Sequence, residues 1–256
     1  MRRASPFSPT PGSPRLLRRE RRERTELWTE AAGTPPAVYG ERWSTVDGRA
    51  VRAFEPARSK LAAGVARGWE DPLPAPGERW LYLGAASGTT ASHVADLLGP
   101  EGRLYAVEKS VRPFARLLAL AERWPNLLPL LADARNPDGY AGPVPLVDGI
   151  YADIAQPDQV EIVLANARLL LADRGAVVVA LKTSTMGRER GGPEHLRRAE
   201  EALAGDLRLE RSVRLDPQFR SHYLVGGRAG ATAVPTGRTA SVPRRALGRR
   251  PPRRGR

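Results

Sequence analysis

The chain of 256 residues contains no cysteine and only three histidines. The lack of cysteine excludes disulfides, thiolate metal sites and cysteine nucleophiles, and it fits a reducing compartment. His93, His195 and His222 do not have the spacing of metal ligands, so we expect no metal site. No apolar run approaches the roughly 18 residues of a membrane span. With 41% hydrophobic residues, the sequence predicts a soluble globular protein with one substantial core.

Lysine is rare, because only three of the 41 basic residues are lysines: Lys60, Lys109 and Lys182. Arginine stays protonated in proteins, whereas a partly buried lysine can be tuned toward neutrality and act as a base. The three lysines are therefore candidates for positions where arginine could not replace lysine, for example as a base. The alternative is that these three positions hold lysine by chance.

Acidic residues are scarce at both ends of the chain, where the net charge of +13 resides. Residues 1–25 hold eight Arg against two Glu, residues 228–256 hold nine Arg and no acid, and residues 26–227 carry a net charge of −2. We expect a disordered Arg-rich arm over residues 1–26 and a disordered Arg/Pro-rich tail over residues 228–256. Such ends would hold phosphates in a salt-sensitive way. A compositional bias toward arginine explains them equally well.

The most informative stretch is Arg79–Thr90, where an apolar run leads into a loop of small residues. Gly84-Ala-Ala-Ser-Gly88 has almost no side-chain bulk, so a ligand can approach the backbone. Thr89 and Thr90 then open an amphipathic helix whose free N–H groups face that ligand. A phosphate loop would need Lys after the second Gly, and the dinucleotide fingerprint would need Gly in place of Ala86. Both are excluded, and a tight structural turn stays open as the alternative.

Strands and helices alternate through residues 71–227, which predicts a parallel sheet covered on both faces. A closing antiparallel pair is expected at Leu207–Leu215 and His222–Val225. Turn signals and short alternating stretches predict a small β-rich N-terminal domain with a linking helix over residues 27–70, and its hairpin turn is expected at Asp47-Gly48.

Ligands of an open α/β sheet lie outside the carboxyl ends of its strands. Beyond the small-residue loop, strands are predicted at Arg103–Glu108, Leu127–Leu131, Val147–Asp153 and Gly175–Lys182. Glu108, Asp133, Asp153 and Lys182 stand at their ends or just after them. Glu108 stands where an acid accepts two ribose hydroxyls, and Asp133 where a short acid accepts an exocyclic amine. Each acid alone also fits a helix N-cap or a solvated turn. Together they indicate a cofactor with ribose and adenine but no phosphate loop, which points to S-adenosylmethionine rather than NAD or ATP.

With these residues assembled, the sequence resembles fibrillarin, and more closely the archaeal fibrillarin-like RNA 2′-O-methyltransferases. The similarity runs from about Leu27 to Gly227. The segments that carry it are Leu81–Thr90, Gly99–Gly102, Asp133–Arg135, Ala152–Asp158 and Pro56–Ala63. The resemblance implies an α/β fold: a Rossmann-like S-adenosylmethionine-dependent methyltransferase domain with a seven-stranded, mostly parallel sheet, preceded by a small N-terminal β-rich domain.

The resemblance also implies roles for single residues. The catalytic set of the family, Lys-Asp-Lys-His, falls on Lys60, Asp153, Lys182 and His222. For Lys60 and His222 a purely structural role stays open, since Lys at a helix start and His on a strand are common. The residues predicted to bind the cofactor are Gly84, Ala85, Ser87, Gly88, Thr89, Thr90, Glu108, Lys109, Asp133, Ala134, Asp153, Ile154, Ala155 and Gln156.

Four features depart from the family pattern, among them Ala57, which replaces a larger residue, and the basic C-terminal extension. Lys109 stands where the family usually has an aromatic residue, which removes a stacking surface for the adenine. The short N-terminal arm lacks the Gly-Arg repeat of eukaryotic fibrillarins, so we favour an archaeal, cytoplasmic protein over a eukaryotic, nucleolar one.

The function implied by the resemblance is methyl transfer to ribose 2′-hydroxyls of ribosomal or transfer RNA. The implied partners are a box C/D guide RNA with its target RNA, the coiled-coil scaffold protein of the particle and a kink-turn-binding ribosomal-type protein, with no membrane. The near-neutral charge of residues 26–227 fits dependence on such partners. The alternative is a non-catalytic RNA-binding scaffold subunit that retains the methyltransferase fold.

Overall fold

Two β-sheets organise the protein, and the computed structural model describes residues 7–21, 24–187 and 191–230 of it. The N-terminal sheet has five strands in the spatial order β1-β2-β3-β5-β4. Its strands are β1 (Phe7–Thr10), β2 (Ser13–Arg21), β3 (Arg24–Glu30), β4 (Trp43–Val46) and β5 (Arg49–Ala53), and helix α1 (Lys60–Val65) follows them.

The second sheet has seven strands, numbered along the chain as β6 to β12. Its elements are β6 (Arg79–Leu83), α2 (Thr89–Leu98), β7 (Arg103–Glu108), α3 (Val111–Ala121), β8 (Leu127–Leu131), β9 (Val147–Ala152), α4 (Gln159–Leu170), β10 (Leu171–Lys182), α5 (Gly192–Ala204), β11 (Leu207–Arg214) and β12 (His222–Ala229). The spatial order is β11-β12-β10-β9-β6-β7-β8. β12 runs antiparallel to both neighbours, and the remaining pairs are parallel. The predicted mostly parallel sheet is confirmed.

Alternating side chains of the seven-stranded sheet enter two separate cores. On β6, Trp80 and Tyr82 pack with α1, α2 and α3, whereas Leu81 and Leu83 pack with α4 and α5. This alternation follows from the pleat of a strand, which points successive side chains to opposite faces. Because both faces are covered, the carboxyl ends of the parallel strands are the part of the sheet open to a ligand.

The hairpin expected at Asp47-Gly48 joins β4 to β5. Val46 pairs with Arg49, so Asp47 and Gly48 alone form the turn between the two strands. Asp47 has φ 48° and Gly48 has φ 79°, which is the left-handed geometry of a two-residue hairpin turn and explains the Asp-Gly sequence.

The prediction of a disordered arm over residues 1–26 is wrong for most of that segment, because residues 7–21 form β1 and β2 and residues 24–26 begin β3. Leu16 is fully buried, and the Arg15 guanidinium donates to Glu30 at 2.9 Å and to the carbonyl of Asp96 at 2.6 Å. The composition predicted disorder because the number of arginines carries no information about the groups that pair with them in the fold, such as Glu30 and the carbonyl of Asp96 for Arg15. The N-terminal domain accordingly includes residues 7–21 and 24–26, which precede its predicted start at residue 27. Residues 1–6 and 22–23 lie outside the described residues.

The predicted disordered tail over residues 228–256 also needs a correction at its start. β12 continues through Ala229, four residues beyond the predicted strand end, and Ala229 is buried. Arg228 is held there by Asp71, whose carboxylate accepts from its guanidinium at 2.8 Å. From residue 231 onward the tail lies outside the described residues.

A buried ionic cluster, formed by Arg52, Glu41, Asp96 and Ser92, joins the N-terminal sheet to α2. The guanidinium of Arg52 contacts Glu41 and Asp96 at 2.6 Å each and also donates to Ser92, and all four residues are buried. Burial alone would raise the pKa of Glu41, but backbone N–H donors and Arg52 hold that pKa below its ordinary value. We call this group the Arg52 cluster.

His93 lies beside the Arg52 cluster, and its pKa predicts a pH dependence of stability. Burial, and secondly the charge of Arg52, hold the pKa of His93 well below 6.5, while Thr29 and Tyr39 hydrogen-bond its two ring nitrogens. In the unfolded chain the imidazole takes up a proton below about pH 6.5, which the folded chain does not. His93 therefore costs about 1 kcal/mol of unfolding free energy between about pH 6.5 and about pH 5.5.

Urea unfolding at the two pH values measures this effect, with His93→Asn as the test variant. His222, whose pKa is also lowered, adds a smaller effect of the same sign that the variant retains. We expect His93→Asn to lose less stability on acidification than the wild type. An equal loss in both proteins would contradict the assignment to His93.

Candidate active site

The carboxyl ends of β6, β7, β8 and β9 surround a cavity of about 190 Å³. Nine of the residues predicted to bind a cofactor line it: Gly84, Glu108, Lys109, Asp133, Ala134, Asp153, Ile154, Ala155 and Gln156. Five further lining residues were not among those predicted to bind the cofactor: Ala86, Val107, Ala132, Arg135 and Ile162. The predicted Ala85, Ser87, Gly88, Thr89 and Thr90 belong to the adjoining loop and the start of α2 rather than to the cavity wall.

The small-residue loop has the backbone geometry that its composition predicts. Gly84, Ala86 and Gly88 have φ values of 81°, 50° and 93°, and such positive values favour glycine. A Cβ atom on Gly84 would lie 2.6 Å from the carbonyl oxygen of Asp153, and one on Gly88 would lie 2.4 Å from Leu120. The loop can therefore pass close to β9 and α3 only because these positions have no side chain.

Glu108 is fixed at the end of β7 with its carboxylate beside the loop. Its two oxygens accept hydrogen bonds from the backbone N–H of Ala86 at 2.9 Å and of Ser110 at 2.7 Å, and the residue is only 8% exposed. Each carboxylate oxygen keeps a further lone pair for a ligand hydroxyl. Glu108 is thus a preorganised acceptor facing the cavity.

Arg135 spans the outer edge of the cavity. Its guanidinium makes a bidentate pair with Asp158 at 2.7 and 2.8 Å, donates to Gln156 at 3.1 Å and lies 3.7 Å from Asp133. The hydrogen bond from Arg135 lowers the pKa of Asp158. The Lys109 ammonium lies 3.9 Å from the same Asp133. Arg135 and Lys109 therefore both lie close to Asp133, the acid that was predicted to accept an adenine amine.

Lys60 and Asp153 form an ion pair where the N-terminal domain meets the sheet. Lys60 Nζ lies 2.8 Å from both Asp153 carboxylate oxygens, and the two side chains are 19% and 17% exposed. Lys60 is the first residue of α1, and Asp153 directly follows β9. Because Asp153 also lines the cavity, the ion pair adjoins the space a ligand would fill.

Lys182 is the last residue of β10, and His222 is the first residue of β12. The two residues pair directly in the antiparallel register of these strands. His222 Nδ1 hydrogen-bonds the carbonyl of Arg220 at 2.8 Å. Burial lowers the pKa of His222; the charges of Lys60 and Lys182 lower it further, while Asp153 and the Arg220 carbonyl act in the opposite direction. The other three predicted catalytic residues therefore all act electrostatically on His222.

Gln159 was not predicted from the sequence, yet it fixes the backbone of Lys182. Its side chain accepts from the N–H of Lys182 at 2.9 Å and donates to the carbonyl of Lys182 at 3.1 Å, and Gln159 is 1% exposed. The only sequence signal was a glutamine at the start of a helix, which gives no hint of a contact 23 residues away.

Comparison with known proteins establishes the family. The Fibrillarin family model matches residues 16–230. The chain belongs to the fibrillarin family. The rRNA 2′-O-methyltransferase fibrillarin of Eremothecium gossypii is 39% identical over 217 residues, which cover 79% of this chain and 66% of that relative. The chain thus spans just under two thirds of that fibrillarin's length.

Solved fibrillarin structures confirm the predicted fold class. Aeropyrum pernix fibrillarin in complex with natively bound S-adenosyl-L-methionine superposes with a TM-score of 0.78 at 36% identity, covering 86% of this chain and 97% of that one. The fibrillarin of a fibrillarin/Nop5p complex superposes with a TM-score of 0.73 at 40% identity, covering 80% and 94%. The resemblance predicted from the motifs is therefore confirmed.

The described residues contain no group of three or more His, Asp and Glu side chains arranged to hold a metal ion. Within the same residues, no helix combines the length and the apolar character that a membrane crossing needs.

Proposed function

We propose that this fibrillarin-family protein transfers methyl groups from S-adenosylmethionine to ribose 2′-hydroxyls of ribosomal or transfer RNA. The observation that carries the proposal is the contact of Lys60 Nζ with both oxygens of Asp153, at 2.8 Å each, on the border of the cavity. The S-adenosylmethionine bound to the Aeropyrum pernix relative supports the choice of cofactor.

The cavity residues fit the cofactor. Glu108 offers a fixed carboxylate for the ribose hydroxyls, and the bare backbone of Gly84 leaves room for the ligand to lie against the loop. The N–H groups of Thr89 and Thr90, at the start of α2, suit the carboxylate of the cofactor. Asp133 stands at the adenine end, where Lys109 replaces the usual aromatic. When bound, S-adenosylmethionine supplies a methyl group on a sulfonium ion.

The residues of the chain must prepare the accepting hydroxyl. A ribose hydroxyl is a poor nucleophile near neutral pH, so it needs an oriented pose and stabilisation of the developing alkoxide. Lys182 either accepts the hydroxyl proton or stabilises the oxyanion with its ammonium. Asp153 holds the Lys60 ammonium in place, and the lowered pKa of His222 keeps its imidazole neutral and able to accept a proton.

We further propose that a guide RNA selects the methylated nucleotides. Residues 7–230, which include the ordered N-terminal strands, carry a net charge of only +3, whereas an enzyme that bound RNA unaided would need a basic face of its own. The Nop5p complex of a relative supports a scaffold protein as one partner. The proposed particle contains a box C/D guide RNA, that scaffold protein and a kink-turn-binding protein.

A pair of glycine substitutions tests the cofactor site. Gly84→Ala places a Cβ atom 2.6 Å from the carbonyl of Asp153, so we expect it to weaken binding of S-adenosylmethionine at least about tenfold in calorimetric titration. Gly77→Ala is the matched control, because Gly77 has a similar φ of 85° and no atom within 4 Å of the added Cβ. It should bind the cofactor as the wild type does. Equal affinity in all three proteins would contradict the proposed site.

The same titration separates the enzyme from a scaffold subunit that only retains the fold. A scaffold subunit has no need of the cofactor, so wild-type protein that binds no S-adenosylmethionine would favour the scaffold. The Lys60–Asp153 pair favours the enzyme, because two partly buried charges cost desolvation energy that a docking surface does not require.

A further inference from the structure

Ser59 and Thr90 join the helix that carries Lys60 to the helix that follows the small-residue loop. Thr90 Oγ1 donates to Ser59 Oγ at 3.1 Å. Ser59 is the N-cap residue of α1, where its Oγ also accepts from the N–H of Ala62 at 3.4 Å. Ser59 and Thr90 are 2% and 7% exposed, so water does not compete for these bonds.

The link continues into the core beneath the ion pair. The Tyr82 hydroxyl interacts with the Thr90 side chain, and burial, then the charge of Asp153, raise the pKa of Tyr82. Tyr151 packs edge-on against Tyr82 with ring centroids 4.8 Å apart, and both rings are buried. Thr90 therefore connects Ser59 to the buried Tyr82–Tyr151 ring pair, and the charge of Asp153 acts on Tyr82.

Helix α1 depends on this link for its orientation. It has only six residues, Lys60–Val65, and Lys60 is the first of them. A helix this short gains little stability from its own backbone bonds, so its cap and its packing fix its direction. Loss of the Ser59 hydroxyl would leave the N–H of Ala62 uncapped and the Thr90 hydroxyl without its acceptor.

We propose that Ser59 is a positioning residue that fixes Lys60 on Asp153 relative to the cofactor loop. The inference rests on the proposed function. Ser59 does not line the cavity, and its effect on methyl transfer passes through Lys60. Removal of its hydroxyl should change turnover while leaving cofactor affinity close to that of the wild type.

The kinetic test compares Ser59→Ala with Ser13→Ala in the assembled methyl-transfer reaction. Ser13 is also buried, donates to the carbonyl of Pro74 at 2.9 Å and lies in β2, so its loss matches the lost hydrogen bond without touching α1. We expect Ser59→Ala to lower kcat by about 10-fold to 100-fold, with the affinity for S-adenosylmethionine within about twofold of the wild type. Ser13→Ala should keep the wild-type kcat.

A double variant separates positioning from simple destabilisation. If Ser59 acts through Lys60, then Ser59→Ala adds almost nothing to the loss already caused by Lys60→Ala, because coupled residues are not additive. A full, multiplicative loss in the double variant would overturn the proposal. So would a wild-type kcat in Ser59→Ala.

A spectroscopic readout needs no enzymatic activity. The chain has three lysines, so protein labelled with ¹⁵N-lysine gives three side-chain signals, and Lys60→Ala identifies the one from Lys60. Ser59→Ala should move the Lys60 signal and leave that of Lys109, the reference lysine, in place. S-Adenosylmethionine should shift the Lys60 signal in the wild type and shift it less in Ser59→Ala. A Lys60 signal that the substitution leaves unmoved would overturn the proposal.

The two proposals fail in different ways. Wild-type protein that neither binds the cofactor nor transfers methyl would refute the proposed function, yet the cofactor-free Lys60 signal would still test the link through Ser59. An active wild type with an unaffected Ser59→Ala variant would refute the link alone.

Discussion

Replacement of Lys182 by methionine is expected to lower methyl transfer by about 10²-fold to 10⁴-fold, the usual contribution of a positioned proton-transfer group. Methionine keeps an apolar stem of four heavy atoms and removes the amine of the residue that pairs with His222 in the β10–β12 register. Lys182 does not line the cavity, so the affinity for S-adenosylmethionine should stay close to that of the wild type. Single-turnover methyl transfer and calorimetric titration measure the two quantities separately.

Two further variants sharpen the Lys182 experiment. Arg116→Met removes a positive charge from the exposed surface of α3 and should leave methyl transfer unchanged, which controls for net charge. Lys182→Arg keeps the charge but cannot release a proton. Activity near the wild-type level in Lys182→Arg would assign Lys182 an electrostatic role, and loss as deep as in the methionine variant would assign it the proton. Wild-type turnover in Lys182→Met would remove Lys182 from the mechanism.

Replacement of Arg52 by methionine is expected to cost about 3–5 kcal/mol of unfolding free energy, the usual loss when one partner of a buried ion pair is removed. Arg52 is fully buried and contacts Glu41 and Asp96 at 2.6 Å each. Its loss would leave two buried carboxylates uncompensated. Urea unfolding at neutral pH measures the change, and the variant should also separate the N-terminal sheet from α2 more readily.

The matched control for Arg52 lies three residues earlier in the same strand. The Arg49 side chain is 70% exposed and pairs with Glu30 at 3.1 Å, so Arg49→Met should cost no more than about 1 kcal/mol. Similar losses in both variants would show that the Arg52 cluster contributes no more than a surface ion pair.

Much of the seven-stranded sheet was predictable because local signals determine it. The ends of β7 and β8 coincide with the predicted Arg103–Glu108 and Leu127–Leu131, since short apolar runs bounded by turn residues define buried strands. Gly84 was identified because a ligand loop and a close backbone approach both demand small residues. Asp47-Gly48 was identified because its turn type demands positive φ.

Contacts distant in sequence were not predictable. Leu16 and Arg15 are ordered by partners that lie far along the chain, so composition gave the wrong result for the N-terminal arm. Arg135 belongs to the Asp133–Arg135 segment that carries the resemblance, but its ion pair with Asp158 depends on the relative positions of β8 and β9. The Arg52 cluster gave no sequence signal, because a buried arginine in a strand is rare and its partners lie on other elements.

The assignment of the catalytic residues combines the sequence resemblance with contacts between residues that are distant in sequence. The resemblance predicted Lys60, Asp153, Lys182 and His222 as one set. The structure places Lys60 on Asp153 and pairs Lys182 with His222. Their roles in methyl transfer remain predictions that the variants above test.

The most direct test of the account is transfer of labelled methyl from S-adenosylmethionine to RNA. The protein is assayed alone and after addition of a box C/D guide RNA and the two partner proteins, against a target RNA and a matched target with one 2′-deoxy nucleotide at the guided position. Guided 2′-O-methylation predicts label only in the assembled reaction, and none on the deoxy target. Equal labelling of the two targets, or no transfer by an assembled particle that binds the cofactor, would contradict it.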